Sequence, residues 1–86
     1  MALIDRVLRR AKKNRASPTW LAGGLDYYKI SARAAGQLVR EAFGPHKRPP
    51  RPGYEMDLPD GTFNGHPGHW TVSNWGGQYE IMFHYR

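Results

Sequence analysis

The chain has no cysteine, so disulfide staples and thiolate zinc sites are excluded. No apolar run approaches the ~20 residues that a membrane-spanning helix needs. Acid is scarce in the front part: residues 1–51 hold 12 of the 13 Lys/Arg but 3 of the 7 Asp/Glu, a net +9. Residues 52–86 hold the remaining 1 cation and 4 acids, a net −3. The two parts therefore face different surroundings, and the basic one suits RNA, anionic lipid or an acidic protein surface. Eighty-six residues allow one small domain with a small core, and seven prolines and ten glycines take further chain out of regular structure. With disulfides excluded, a partner is the economical source of extra stability.

What is present reads as a small α+β chain. Residues 1–16 hold a basic N-terminal helix, with Leu3, Ile4, Val7, Leu8 and Ala11 on one face and Arg6, Arg9, Arg10, Lys12, Lys13 and Arg15 around the rest. Ser17-Pro18 ends it over 3–15, because the residue before a proline avoids helix. This Arg-rich, acid-poor stretch is similar to a mitochondrial targeting segment; if it serves as one, it is expected to be kept. Residues 17–43 form a Trp/Gly turn and a second helix, giving a helix-loop-helix, with Asp26 as the N-cap. Tyr28, Ala32, Ala35, Val39 and Ala42 recur at steps of three and four, and Leu38 and Phe43 widen the stripe. Its small residues suit close packing between larger elements. Gly44-Pro45 stops the helix.

Residues 44–53 (GPHKRPPRPG) predict an extended, semi-rigid linker. Residues 54–86 predict a β-hairpin region. A short strand over 54–58 is broken by the turn Pro59-Asp60-Gly61, and 64–68 form another loop. Strands over 69–75 and 78–85 flank Gly76-Gly77, a two-residue hairpin turn. Counting back from that turn sets Val72 opposite Ile81, Trp70 opposite Phe83 and His69 opposite His84. Tyr79, Ile81, Phe83, Tyr85, Trp70 and Val72 share the apolar face; Thr71, Ser73, Gln78, Glu80 and His84 share the polar one. A lone hairpin is marginal, so its apolar face must cover the chain's own helix or a partner sheet.

These residues are compatible with three chemistries. His66, His69 and His84 supply three imidazoles for zinc, but no carboxylate is evidently placed to orient a ligand, and solvent-facing strand histidines are the plainer reading. A metal-independent ribonuclease would draw on His69, His84, Lys47 and Tyr85 as base, acid and phosphate-stabilising group, with no motif fixing their spacing. RNA or ribosome binding would use the basic helix, the KRPPR run and three tryptophans for phosphate contacts and base stacking. That reading extends to a mitochondrial ribosomal or respiratory-complex subunit and is the alternative to the one below.

The middle of the chain carries a more particular pattern. Trp20, Ala22-Gly23-Gly24, Leu25, Tyr27-Tyr28, Ser31, Ala34-Ala35, Val39-Arg40, Ala42-Phe43 and Pro45-His46-Lys47 follow one another in order. This resembles the epsilon subunit of mitochondrial ATP synthase, in which Trp-x-x-Ala-Gly-apolar-x-Tyr precedes a helix containing Ala-x-x-Val-Arg. Either Tyr27 or Tyr28 stands at the family's tyrosine, and Ala34 stands where a larger apolar residue is frequent. The match spans residues 20–47; the basic N-terminal helix and 54–86 have no counterpart in it.

The resemblance implies a non-catalytic structural subunit of the central stalk, with no cofactor. It would sit on the matrix side of the mitochondrial inner membrane, near the membrane c-ring. Its partners would be the gamma and delta subunits, and its role to couple proton-driven rotation to ATP synthesis. Partner contacts would fall on Trp20, Gly24, Leu25, Tyr27, Tyr28, Ala32, Ala35, Val39 and Arg40.

Overall fold

The computed structural model describes residues 2–13 and 26–86. It is an α+β fold, as the sequence pattern predicts. Helix α1 (Leu3–Arg10) leads into a two-residue strand β1 (Lys12–Lys13). Strand β2 (Asp26–Ile30), helix α2 (Ala32–Phe43) and strands β3 (Glu55–Phe63), β4 (His66–Trp75) and β5 (Gln78–Tyr85) follow. The strands form one antiparallel sheet in the order β1-β2-β5-β4-β3.

Helix α1 presents the apolar stripe read from the sequence. Val7 is buried, and Leu3, Ile4, Leu8 and Ala11 pack beside it at the edge of the core. The helix is shorter than the predicted 3–15, since Ala11 turns extended (ψ 150°) and Lys12 and Lys13 pair with Lys29 and Tyr28. The predicted stop at Ser17-Pro18 lies outside the described residues.

The larger correction concerns the second helix. Asp26 does not cap it; Asp26–Ile30 is a strand, paired with Phe83 through Tyr79 of β5. The helix begins five residues later, where the Ser31 hydroxyl accepts a hydrogen bond from the Ala34 N–H at 3.1 Å. The physical reason lies in the side chains. Tyr27, Tyr28 and Ile30 favour a pleated surface, and strand period sends Tyr28 and Ile30 inward together. A strand therefore stands where the helix-loop-helix would have its loop and first turn. Within α2, Ala35, Leu38 and Val39 are buried as expected, but Ala32 and Phe43 are exposed.

The hairpin reads as the sequence predicts. Trp70 pairs with Phe83, Val72 with Ile81 and His69 with His84 across the Gly76-Gly77 turn. Val72, Ile81 and Phe83 are completely buried against Ala35, Leu38 and Val39, so the apolar face covers the chain's own helix. Tyr28, Phe63, Trp70 and Phe83 form an aromatic cluster within it, with ring centroids 5.0–6.3 Å apart. Strand β3 differs from expectation. It runs through Pro59-Asp60-Gly61 without turning, and the irregularity appears as a register shift between Asp57 and Asp60. As an edge strand, β3 tolerates a proline that cannot donate to a ladder. The turn to β4 is confined to Asn64-Gly65, both with positive φ, and β4 begins at His66.

Candidate functional site

Strand alternation decides which side chains share a face. Trp70, Val72, Ile81, Phe83, Met56 and Leu58 belong to the core that carries the helices. Their neighbours Glu55, Asp57, His69, Thr71, Ser73, Glu80, Met82 and His84 therefore share the opposite face. Among the described residues, the helices pack on the first face only. The second face is polar, and its centre is a connected group of polar side chains, three of them titratable.

His69 and His84 are directly opposed on β4 and β5, with their rings stacked at 5.0 Å between centroids and 14° between planes. The Asp57 carboxylate lies 3.2 Å from His69 Nε2. On the other side, His84 Nε2 lies 3.0 Å from Thr71 Oγ1. The result is a row of four groups, Asp57, His69, His84 and Thr71, spread over three strands. Thr71 is 3% exposed, so one end of the row is anchored in the sheet. The Asp57 side chain retains 78% of its exposure and His69 retains 31%, so the other end meets solvent. Arg86 pairs with Asp60, which lies opposite His69 in the β3–β4 ladder.

The surroundings hold His84 below the usual histidine value of 6.5. Partial burial is the main cause, and the His69 imidazole adds to it; the Glu55 and Asp57 carboxylates pull the other way. The lowered value favours the neutral imidazole, whose Nε2 is engaged with Thr71 Oγ1 and whose basic nitrogen is set by the tautomer. Beside it is an imidazole oriented by a carboxylate. A proton acceptor and an oriented imidazole side by side make a site capable of general acid–base chemistry.

The three histidines considered for zinc are split. His66 packs against Tyr85 (5.4 Å, edge to face), away from the His69–His84 pair. Among the described residues, no group of three or more His, Asp or Glu is arranged to hold a metal ion. Of the four groups considered for ribonuclease chemistry, His69 and His84 come together. Tyr85 joins the aromatic core through Phe83, and Lys47 lies in a separate groove.

That groove is formed where the Pro-rich segment meets the start of β3. It encloses about 510 Å³ and is lined by Lys47, Arg48, Arg51, Tyr54, Glu55 and neighbouring residues. A second groove, of about 720 Å³, lies between α1 and α2 and carries Arg6, Arg9, Arg10 and Arg33.

Asp57 and Glu55 are not among the residues the sequence singles out, and Thr71 stands there only as a member of the polar face. The signal was available in their alternation with Met56, Trp70 and Val72. The strand predicted over 54–58 already contains Glu55 and Asp57; what local pattern lacks is its pairing with β4, which sets Asp57 opposite Thr71. The expectation that no carboxylate orients a histidine is accordingly corrected by Asp57.

The residues expected to contact a stalk partner scatter. Trp20, Gly24 and Leu25 lie outside the described residues. Tyr27 pairs with Met82 in the sheet, and the Tyr28 ring packs on Trp70 and Phe63. Ala35 and Val39 are 0% exposed inside the chain's own core, whereas Ala32 and Arg40 are exposed. Close packing by small residues is real here, but its partner is the sheet of the same chain.

No family model, curated protein or solved structure matches this chain.

Proposed function

We propose that the polar face of the sheet cleaves RNA phosphodiester bonds without a metal ion, using His84 as general base and His69 as general acid. The observation that carries this is the stacked His69–His84 pair, flanked by Asp57 and Thr71, on a sheet face that no described helix covers. RNA supplies its own nucleophile, so the protein need provide only a base, an acid and cationic support. His84 takes the proton from a 2′-OH as that oxygen attacks phosphorus. The bond from phosphorus to the 5′-oxygen breaks, and His69 returns a proton to the leaving oxygen. Asp57 orients His69, and the net charge of +6 favours a polyanionic substrate. The products are a 2′,3′-cyclic phosphate and a free 5′-hydroxyl.

The test is cleavage of a single-stranded oligoribonucleotide in EDTA. His84→Ala and His69→Ala should each lower the rate at least a hundredfold, and an all-deoxy oligonucleotide should stay intact. Intact RNA after prolonged incubation with the unaltered protein would end this proposal.

The stalk role is a second proposal, supported by the residue pattern over 20–47. It places the chain with gamma and delta subunits at the mitochondrial inner membrane, without catalysis of its own. Affinity capture from mitochondria in mild detergent tests it: recovery of those two subunits supports the role, and their absence removes it.

A further inference from the structure

We infer that the groove of Lys47, Arg48, Arg51 and Tyr54 is the docking site for a single-stranded RNA segment flanking the bond to be cut. The inference rests on the ribonuclease proposal for its choice of ligand. Four observations carry it.

The first is charge. The groove has three cationic side chains against one carboxylate, Glu55, and no described ion pair engages those cations. The second is an exposed aromatic ring. Tyr54 is 67% exposed at the groove, a cost in water that a stacked base would offset. Trp75, 48% exposed, follows Asn74, whose N–H donates to the Tyr54 carbonyl at 3.0 Å.

The third observation is pre-organisation. Proline-rich segments are often mobile linkers, but this one is tied to β4. The buried Asn74 side chain donates from Nδ2 to the Pro50 carbonyl at 3.0 Å. The Gly53 N–H donates to the Asn74 carbonyl at 2.8 Å, and the Tyr54 N–H donates to the Arg51 carbonyl at 3.0 Å. The cations are thus mounted on a fixed backbone, which reduces the ordering entropy a polyanion must supply on binding.

The fourth is continuity. Glu55 lines the groove and stands two residues from Asp57, about 7 Å along the strand, roughly one nucleotide step from the histidine row. Met56 also lines the groove and belongs to the helix-bearing face, so a bound strand would round the β3 edge to reach the row. A duplex presents its phosphates but not a base face, so Tyr54 selects for single strands.

The experiment measures binding of a fluorescent 2′-O-methyl oligoribonucleotide, which lacks the nucleophile and stays intact. The full-length protein should bind it, with affinity falling as salt rises. Arg48→Ala combined with Arg51→Ala should weaken binding at least tenfold and flatten the log–log salt slope by about 1.4. Tyr54→Ala should weaken it about tenfold, while Arg6→Ala combined with Arg9→Ala in the other groove should leave it unchanged. Circular dichroism establishes that each variant is folded.

Loss of binding in the Arg6/Arg9 variant instead of the Arg48/Arg51 variant would overturn the assignment. So would equal affinity for duplex RNA, no binding by the unaltered protein, or anionic phosphatidylserine vesicles binding with the same dependence on Arg48, Arg51 and Tyr54. Cleavage of ordinary RNA persisting beside any of these results leaves the proposed activity standing, so the two failures are distinguishable.

Discussion

Gly68 pairs with Tyr85 of β5 one position from the His69–His84 pair, and replacing it tests the packing that holds that pair. A Cβ at this position would lie 2.1 Å from the His84 carbonyl oxygen and 2.8 Å from two carbons of the Phe83 ring. Neither neighbour can yield easily. The first is backbone, and Phe83 is 0% exposed in the core. Gly68→Ala must therefore push β4 away from β5 next to His84. Overpacking of this kind costs about 1–3 kcal/mol, and about 2 kcal/mol is expected here.

Opening the adjacent pairing to Tyr85 adds about 1 kcal/mol per lost hydrogen bond. We expect a total near 3 kcal/mol, against a whole stability of about 4–13 kcal/mol for a chain of this length. With a urea slope of about 1 kcal/mol per molar, the unfolding midpoint falls by about 3 M.

Gly61 is the control. It lies opposite Gly68 in the β3–β4 ladder, and an added Cβ there meets nothing within 4 Å. Gly61→Ala should be neutral or stabilising by about 0.5 kcal/mol. Denaturation of both variants by urea, followed by circular dichroism, decides the matter. Equal midpoints for the two would refute the close β4–β5 approach.

Three other outcomes are expected. Ala35→Leu should destabilise the isolated chain by about 1–3 kcal/mol through overpacking of its own core; an unchanged thermal midpoint without any partner would instead mean that Ala35 faces outward. Ser31→Ala removes the side-chain cap of α2 and should cost about 1 kcal/mol, read as a lower urea midpoint, with Ser31→Asp restoring most of it.

Stability should also depend on His84. Because its folded value is lowered, the unfolded chain binds the proton more readily. The resulting penalty is absent above pH 6.5, grows as pH falls below it, and is complete below the lowered folded value. Denaturant titrations from pH 8 to 5 should show this loss, and it should shrink in His84→Gln. A His84→Gln profile identical to that of the unaltered protein would show that another group titrates.

Local pattern was enough to fix several parts of this protein. The Gly76-Gly77 turn between two alternating strands sets the register, so the opposition of His69 and His84 follows from counting away from the turn. The apolar stripes of α1 and of 35–39 in α2 follow from helical spacing in the same way. These are contacts made by near neighbours in sequence, for which periodicity and turn chemistry suffice.

Three decisions needed the tertiary structure. Asp26–Ile30 has a helix-compatible start and a following helix, yet it pairs with β5 some fifty residues further on. Pro59-Asp60-Gly61 has turn chemistry, yet β4 draws it into a long edge strand with a register shift. That strand brings Asp57 to His69 and Glu55 to the basic groove. The small faces of Ala35 and Val39 could serve any close neighbour, and only the folded sheet determines that the neighbour is this chain's own. In each case the deciding energy comes from burial and hydrogen bonds between segments far apart in sequence. Local propensity carries no record of those contacts, which arise only once the sheet closes over α2.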